Sequence, residues 1–273
     1  MSAQSRITVF RGWDCPGNYV WPPFVTKIEL RLRITGVSYR AASGSTQVAP
    51  RGKIPYISLD GSDPVSDSTL IVDKLTEEGV VPDINAALTP AQRAHDLALR
   101  AMLEDKLYFY HSYERWLTDD NVYTMRDHVL NAAPYPVRVV VGLLIHRGVK
   151  QALHGQGTSR LSPEEIAAFR LQIWKAFEAL LVEAKRKQGA GDAPFWVLGG
   201  ESPSEADMLL FAFTASVLVC TACVTLMQEH RGNSADLFDG APDSQKVVRG
   251  LPAIMEYAHR IHGRYFPDYK RWA

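Results

Sequence analysis

Gly52-Lys53-Ile54-Pro55-Tyr56-Ile57-Ser58-Leu59, with Ser66-Asp67-Ser68 a few residues on, is the stretch around which this chain can be read. Tyr56 to Leu59 has the apolar and β-branched content of a strand and ends at the turn signal Asp60-Gly61. Pro55 therefore falls at the first strand position, where a missing N–H is tolerated. An X-Pro bond has only a small trans preference, so a tight turn can hold Ile54-Pro55 cis and leave the N–H and C=O of Ile54 facing outward, ready to pair with an extended peptide. Ser66-Asp67-Ser68 precedes the helically spaced Leu70, Ile71 and Leu75, which places hydroxyls and a carboxylate beside the free N–H groups of a helix start. Such a start attracts carboxylates. Together the two pieces form a clamp for a small peptide that carries a carboxylate and an amine.

Outward from the clamp, a length of 273 residues suits two domains, and 46% hydrophobic content is enough for a sizeable core. Thirty basic and thirty acidic residues give a net charge of zero, so nothing favours a nucleic-acid backbone or an anionic membrane as partner. Lys185-Arg186-Lys187 sits where a helix should end, the ordinary place for cations. Met1 to Arg6 is polar with no apolar run behind it, and three cysteines are too few for a disulfide framework, so the expected compartment is the cytoplasm.

Ile7 to Phe10 reads as a strand entering a long irregular segment, Arg11 to Pro23. A helix carrying Phe24, Ile28, Leu32 and Ile34 should follow, then a strand at Val37 to Tyr39, and the clamp adds two strands and a helix. That order, βαβ then ββα, defines an N-terminal domain over residues 1–85. After the linker between Pro82 and Pro90 the patterning is helical throughout, so residues 90–273 are expected to form an all-α domain and the fold class is α+β. Its first helix should run from Pro90 to Leu117, with Tyr108, His111 and Arg115 on one face and Phe109, Tyr113 and Trp116 on another. A second helix is expected from Val137 to Leu153, and capping boxes open two more at Ser162 and Ser204. Met208 to Met227 carries no charge over twenty residues, long enough to span a membrane, but its capped start and small residues suit a helix buried in protein. Cys220 and Cys223 fall inside that run, away from any helix N-terminus that would activate a thiol. They read as buried thiols. With Cys15 the only other cysteine, no metal site is expected.

The clamp resembles that of the glutathione transferases of thioredoxin-like fold: Gly52-Lys53-Ile54-Pro55 is similar to their cis-proline turn and Asp67-Ser68 to their acidic-Ser pair. Phe195 to Gly200 with Ser204-Glu205-Ala206-Asp207 resembles the capping motif of their C-terminal domain. Within the superfamily, Pro22 to Glu29 with Leu32-Arg33, Arg147 to Glu165, and Arg260 to Asp268 resemble the failed axon connections and metaxin-like branch. The resemblance implies a thioredoxin-like domain followed by an all-helical glutathione-transferase C-terminal domain. It also implies glutathione as cosubstrate, held by Lys53, Ile54, Pro55, Asp67 and Ser68, and a homodimer. The small-molecule electrophile would lie near Trp13, Tyr108, His111, Arg115 and Trp116. One departure matters: cysteine- and serine-type members carry Cys or Ser directly before the Pro-Phe that opens the first helix, and here that residue is Pro22. A proline side chain donates nothing, so thiol activation would fall to the loop ahead of it, with Tyr19 first, then Asn18 and Cys15. Three readings follow: a glutathione transferase, a glutathione-dependent isomerase or tailoring enzyme, and a non-catalytic protein that binds a partner.

Overall fold

The computed structural model describes residues 6–189, 191–223 and 244–272. In chain order these form β1 (Ile7–Phe10), α1 (Pro23–Ile34), β2 (Tyr39–Ala42), β3 (Tyr56–Leu59), β4 (Val65–Ser66), α2 (Ser68–Glu77) and α3 (Pro90–Ala101). A π-helical turn, Met102–Leu107, leads into α4 (Tyr108–Leu117), followed by α5 (Asp119–Val129), α6 (Tyr135–Gln156), α7 (Pro163–Gln188), α8 (Glu205–Val219), α9 (Ser244–Arg249) and α10 (Pro252–Tyr265).

The sheet has the order β2-β1-β3-β4, with β2 parallel to β1 and the other pairings antiparallel. This is the thioredoxin-like arrangement expected, followed by helices. The second strand begins two residues later than expected, because Ile7 pairs with Tyr39 rather than with Val37. Alternation along β1 and β3 turns Ile7, Val9, Ile57 and Leu59 inward against Ile28 and Leu32 of α1 and Ile71, Val72 and Leu75 of α2.

The chain divides into two compact units that do not follow the expected border near residue 85. The first holds residues up to Arg100, Glu178–Val219 and Pro252–Ala273; the second holds Ala101–Phe177 and Cys220–Leu251. In the first unit α1 is buried from Val25 to Leu32, on one side by the sheet and on another by α8. Charges on α1 are therefore interior. Arg31 Nε meets Glu205 at 2.7 Å, and Arg11 Nε meets Glu29 at 2.9 Å with side chains 2% and 0% exposed.

The helix α8 is buried from Glu205 to Leu218, as its capped, apolar sequence suggests. It ends at Val219, short of the Met227 expected, so Cys220 lies just past it rather than inside it and is buried. The side chain of Cys223 and residues 224–227 lie outside the described residues. Among the described residues no helix is long and apolar enough to cross a membrane. The Ser204 box is present: Asp207 accepts from Ser204 N–H and hydroxyl at 2.9 and 3.0 Å, from Val197 N–H at 2.8 Å and from the Tyr257 hydroxyl at 3.1 Å. Burial pushes its carboxyl up from 3.8 to about 6 against these bonds. The folded group thus holds its proton more tightly than the unfolded one, so its contribution to stability falls as pH rises from about 4 through about 6. Urea midpoints across that range should show this slope in the wild type and a flatter profile in Asp207→Asn; equal slopes would remove the assignment.

In the second unit the expected Pro90–Leu117 helix is interrupted by its π turn, and α5 fills a stretch for which no helix was expected. The helix α6 is longer at both ends than expected and stops at Gly157, whose φ of 109° is open to glycine. The Ser162 box forms, with reciprocal bonds of 2.7 and 3.2 Å between Ser162 and Glu165. Glu114 joins Arg170 at 3.1 Å and accepts from Ser244 N–H at 2.8 Å, holding the start of α9.

Candidate functional site

Two short segments of the first unit build the site. The Ile54-Pro55 bond is cis, and Pro55 leads directly into β3. Arg51 Nη1 donates to the carbonyl of Ser66 at 3.1 Å, which ties the turn ahead of Pro55 to the strand ahead of α2. No loop or turn hydrogen bond among the described residues engages the N–H or C=O of Ile54. Those groups suit the backbone of an extended peptide.

Asp67 is the N-cap of α2, and its carboxylate accepts from Thr69 N–H at 3.0 Å and Leu70 N–H at 3.4 Å. Its φ of 82° lies in the left-handed region, unusual for a residue with a side chain. The capped carboxylate leaves Ser68, the first helical residue, at the helix mouth with its N–H and hydroxyl. Lys27 Nζ of α1, 1% exposed, lies 3.1 Å from Ser68 Oγ and 3.3 Å from Thr69 Oγ1. Donors at a helix start, backed by a cation, fit a carboxylate. The residues present therefore suit a peptide such as glutathione. Lys53 is exposed beside the turn.

The irregular segment after β1 lies against this turn. Gly12 has a φ of 89°, which favours glycine, and a Cβ there would fall 2.5 Å from Ile54 Cδ1 and push that side chain aside. Arg11 fixes the loop from inside, donating to the carbonyl of Cys15 at 3.0 Å and to that of Asn18. The Tyr269 hydroxyl donates to Glu29, the partner of Arg11, at 2.8 Å, and Lys270 N–H reaches Gly17 O at 2.7 Å.

This frame redistributes the expected thiol-activating residues. Tyr19 is 6% exposed, its hydroxyl 2.9 Å from His262 Nδ1 and its ring packed among Phe211, Phe266, Tyr269 and Trp272. Burial pushes its phenol far above the ordinary value and lowers His262. The expectation that Tyr19 offers its hydroxyl to a sulfur is corrected: that group belongs to an aromatic cluster built by residues more than 190 positions away. Asn18 is exposed, with Nδ2 on the Pro16 carbonyl at 2.9 Å, and Cys15 is a half-buried free thiol.

The five residues expected around a substrate are divided between the units, Trp13 in the first and the rest in the second. Tyr108 is exposed, in edge contact with Phe109. His111 and Arg115 are buried, a correction to an open pocket wall; His111 stacks on Trp174 at 5.8 Å, and burial with the nearby Arg115 and Arg170 cations holds its pKa well below the ordinary value. Trp116 accepts at its carbonyl from His146 Nδ1 at 2.8 Å. Lys27, Gly12 and Arg51 were absent from the expected site, and no spacing in the sequence marks them.

Residues 23–121 match the family model described as glutathione S-transferase N-terminal domain. Glutathione transferase GSTFuA3 from Phanerochaete chrysosporium is 15% identical, with 98% of each chain covered and a TM-score of 0.57. Glutathione transferase Omega 3C from Trametes versicolor is 14% identical over 99% of this chain and 93% of its own, at 0.51. Maleyl pyruvate isomerase, a bacterial glutathione S-transferase in Zeta class, is 14% identical over 96% of each chain, at 0.50. The chain has the glutathione transferase fold, and over residues 23–121 it is similar to the N-terminal domain of those proteins.

Proposed function

We propose that this protein is a cytoplasmic, homodimeric, glutathione-dependent transferase that adds or exchanges the sulfur of glutathione at a hydrophobic, electrophilic small molecule. The observation that carries the reading is the pairing of Tyr56 with Ser66, which joins the cis Ile54-Pro55 turn, with no loop or turn hydrogen bond on Ile54 among the described residues, to Asp67 and Ser68 at the start of α2. The cysteinyl backbone would pair with Ile54, the γ-glutamyl carboxylate with Ser68 and its amine with Asp67. An unassisted thiol near pKa 8.5 is only about 3% ionised at pH 7, so a transferase needs a donor to the sulfur. Cys15 and Asn18 remain the loop candidates once Tyr19 is set aside.

A second reading, a non-catalytic partner-binding member of the failed axon connections and metaxin-like branch, is favoured by the absence of a side-chain donor at Pro22. The exposed Val137, Val140, Leu143 and Leu144 of α6 offer such a protein an apolar surface. An isomerase, which regenerates its thiol, fits the same clamp. Calorimetric titration with glutathione, followed by a conjugation assay with an aryl halide, separates these. Binding with turnover is expected; binding without turnover selects the isomerase or partner-binding readings, and no heat with glutathione removes the clamp assignment.

A further inference from the structure

We propose that Lys27 is a positioning residue that sets the Ser68 hydroxyl as a donor and makes the mouth of α2 select a carboxylate over a neutral group. The inference rests on the glutathione reading of this site and names the element that would give it charge specificity.

Lys27 stands in the middle of α1, 1% exposed, where a solvated lysine would ordinarily not be found. Its Nζ lies within hydrogen-bond reach of two consecutive hydroxyls, Ser68 Oγ at 3.1 Å and Thr69 Oγ1 at 3.3 Å. A lysine head group has donors and no acceptor, so both hydroxyl oxygens must accept from it. The proton of Ser68 is thereby turned away from Nζ. Asp67 already occupies Thr69 N–H and Leu70 N–H, so the donors left at the mouth are the N–H and hydroxyl of Ser68, with the Thr69 hydroxyl behind them. A bound carboxylate would meet both, with a cation one hydroxyl behind them and the positive end of the α2 dipole beneath. A carboxamide of the same shape would keep the contacts but gain little from the charge. Because Nζ is shielded from water, its effect should also be screened little by salt.

The test compares glutathione with its analogue in which the γ-glutamyl α-carboxylate is an amide, by calorimetry at fixed pH, on wild type, Lys27→Met, Ser68→Ala and the double variant. Wild type should prefer glutathione by about ten-fold or more. Lys27→Met should abolish most of that preference with little change for the amide, and the double variant should be no weaker than Ser68→Ala, because the lysine acts through the hydroxyl. Equal wild-type affinity for the two ligands, an equal loss for both in Lys27→Met, or full additivity in the double variant overturns the proposal while leaving the glutathione site standing. Silence of the wild type toward both ligands overturns the site and the proposal together. Should Lys27→Met fail to fold, Lys27→Gln carries the same comparison, and a retained preference in it counts against the proposal.

Discussion

Glu29→Ala is expected to lower the unfolding free energy by about 3–5 kcal/mol, the range for removing one partner of a buried ion pair. The remaining partner, the Arg11 guanidinium, is 2% exposed and would be left on the carbonyls of Cys15 and Asn18 and over the Tyr269 ring, with no anion in place of the one removed. The lost carboxylate also accepts from the Tyr269 hydroxyl. Burial raises the Glu29 carboxyl above its ordinary value, against the pull of the neighbouring Arg11 guanidinium and the Tyr269 hydroxyl. Urea midpoints should register the loss, and Glu29→Gln, which keeps an acceptor for Tyr269, should be milder. A change under about 1 kcal/mol in Glu29→Ala, the size of a surface pair, would mean that the site loop does not depend on this core.

The second large effect concerns Asp67. Asp67→Ala should weaken glutathione binding about ten-fold or more through loss of a charged acceptor, and should also cost about 1 kcal/mol of stability through loss of the α2 cap. Alanine also tolerates the φ of 82° poorly. Asp67→Asn separates the two effects. Its amide oxygen can still cap Thr69 and Leu70 and asparagine accepts a left-handed backbone, so stability should hold while affinity for the amine-bearing γ-glutamyl end falls. Wild-type affinity in both variants, measured calorimetrically, would leave the cap as the whole role of Asp67.

What the sequence made legible was local. The Ile54-Pro55 turn, the Asp67 cap and the boxes at Ser162 and Ser204 are each carried by a few adjacent residues, and each is where the spacing places it. What escaped was set by distant partners. Lys27, Glu29 and Arg31 carry no local pattern that marks them as buried, and they are interior because α1 has the sheet on one side and α8 on another. Tyr19 looked like a donor in an open loop, and its surroundings come from Phe211, His262 and Trp272. His111 shared a stripe with exposed Tyr108, and periodicity alone could not tell a core face from a pocket wall. The π turn at Met102–Leu107 carries no glycine or proline to announce it.

The bonds from Tyr269 to Glu29 and from Lys270 to Gly17 have a consequence for the order of events on the ribosome. The loop and its strap are about 250 residues apart, so at a synthesis rate of ~5–20 residues per second they emerge on the order of ten to fifty seconds apart. During that interval the thioredoxin-like sheet can assemble, but Glu29 lacks the Tyr269 hydroxyl, Gly17 O lacks its donor and Tyr19 lacks its aromatic surroundings. The nascent N-terminal part would thus wait with an unfinished binding loop, and competence for ligand would be granted only once the strap has been translated.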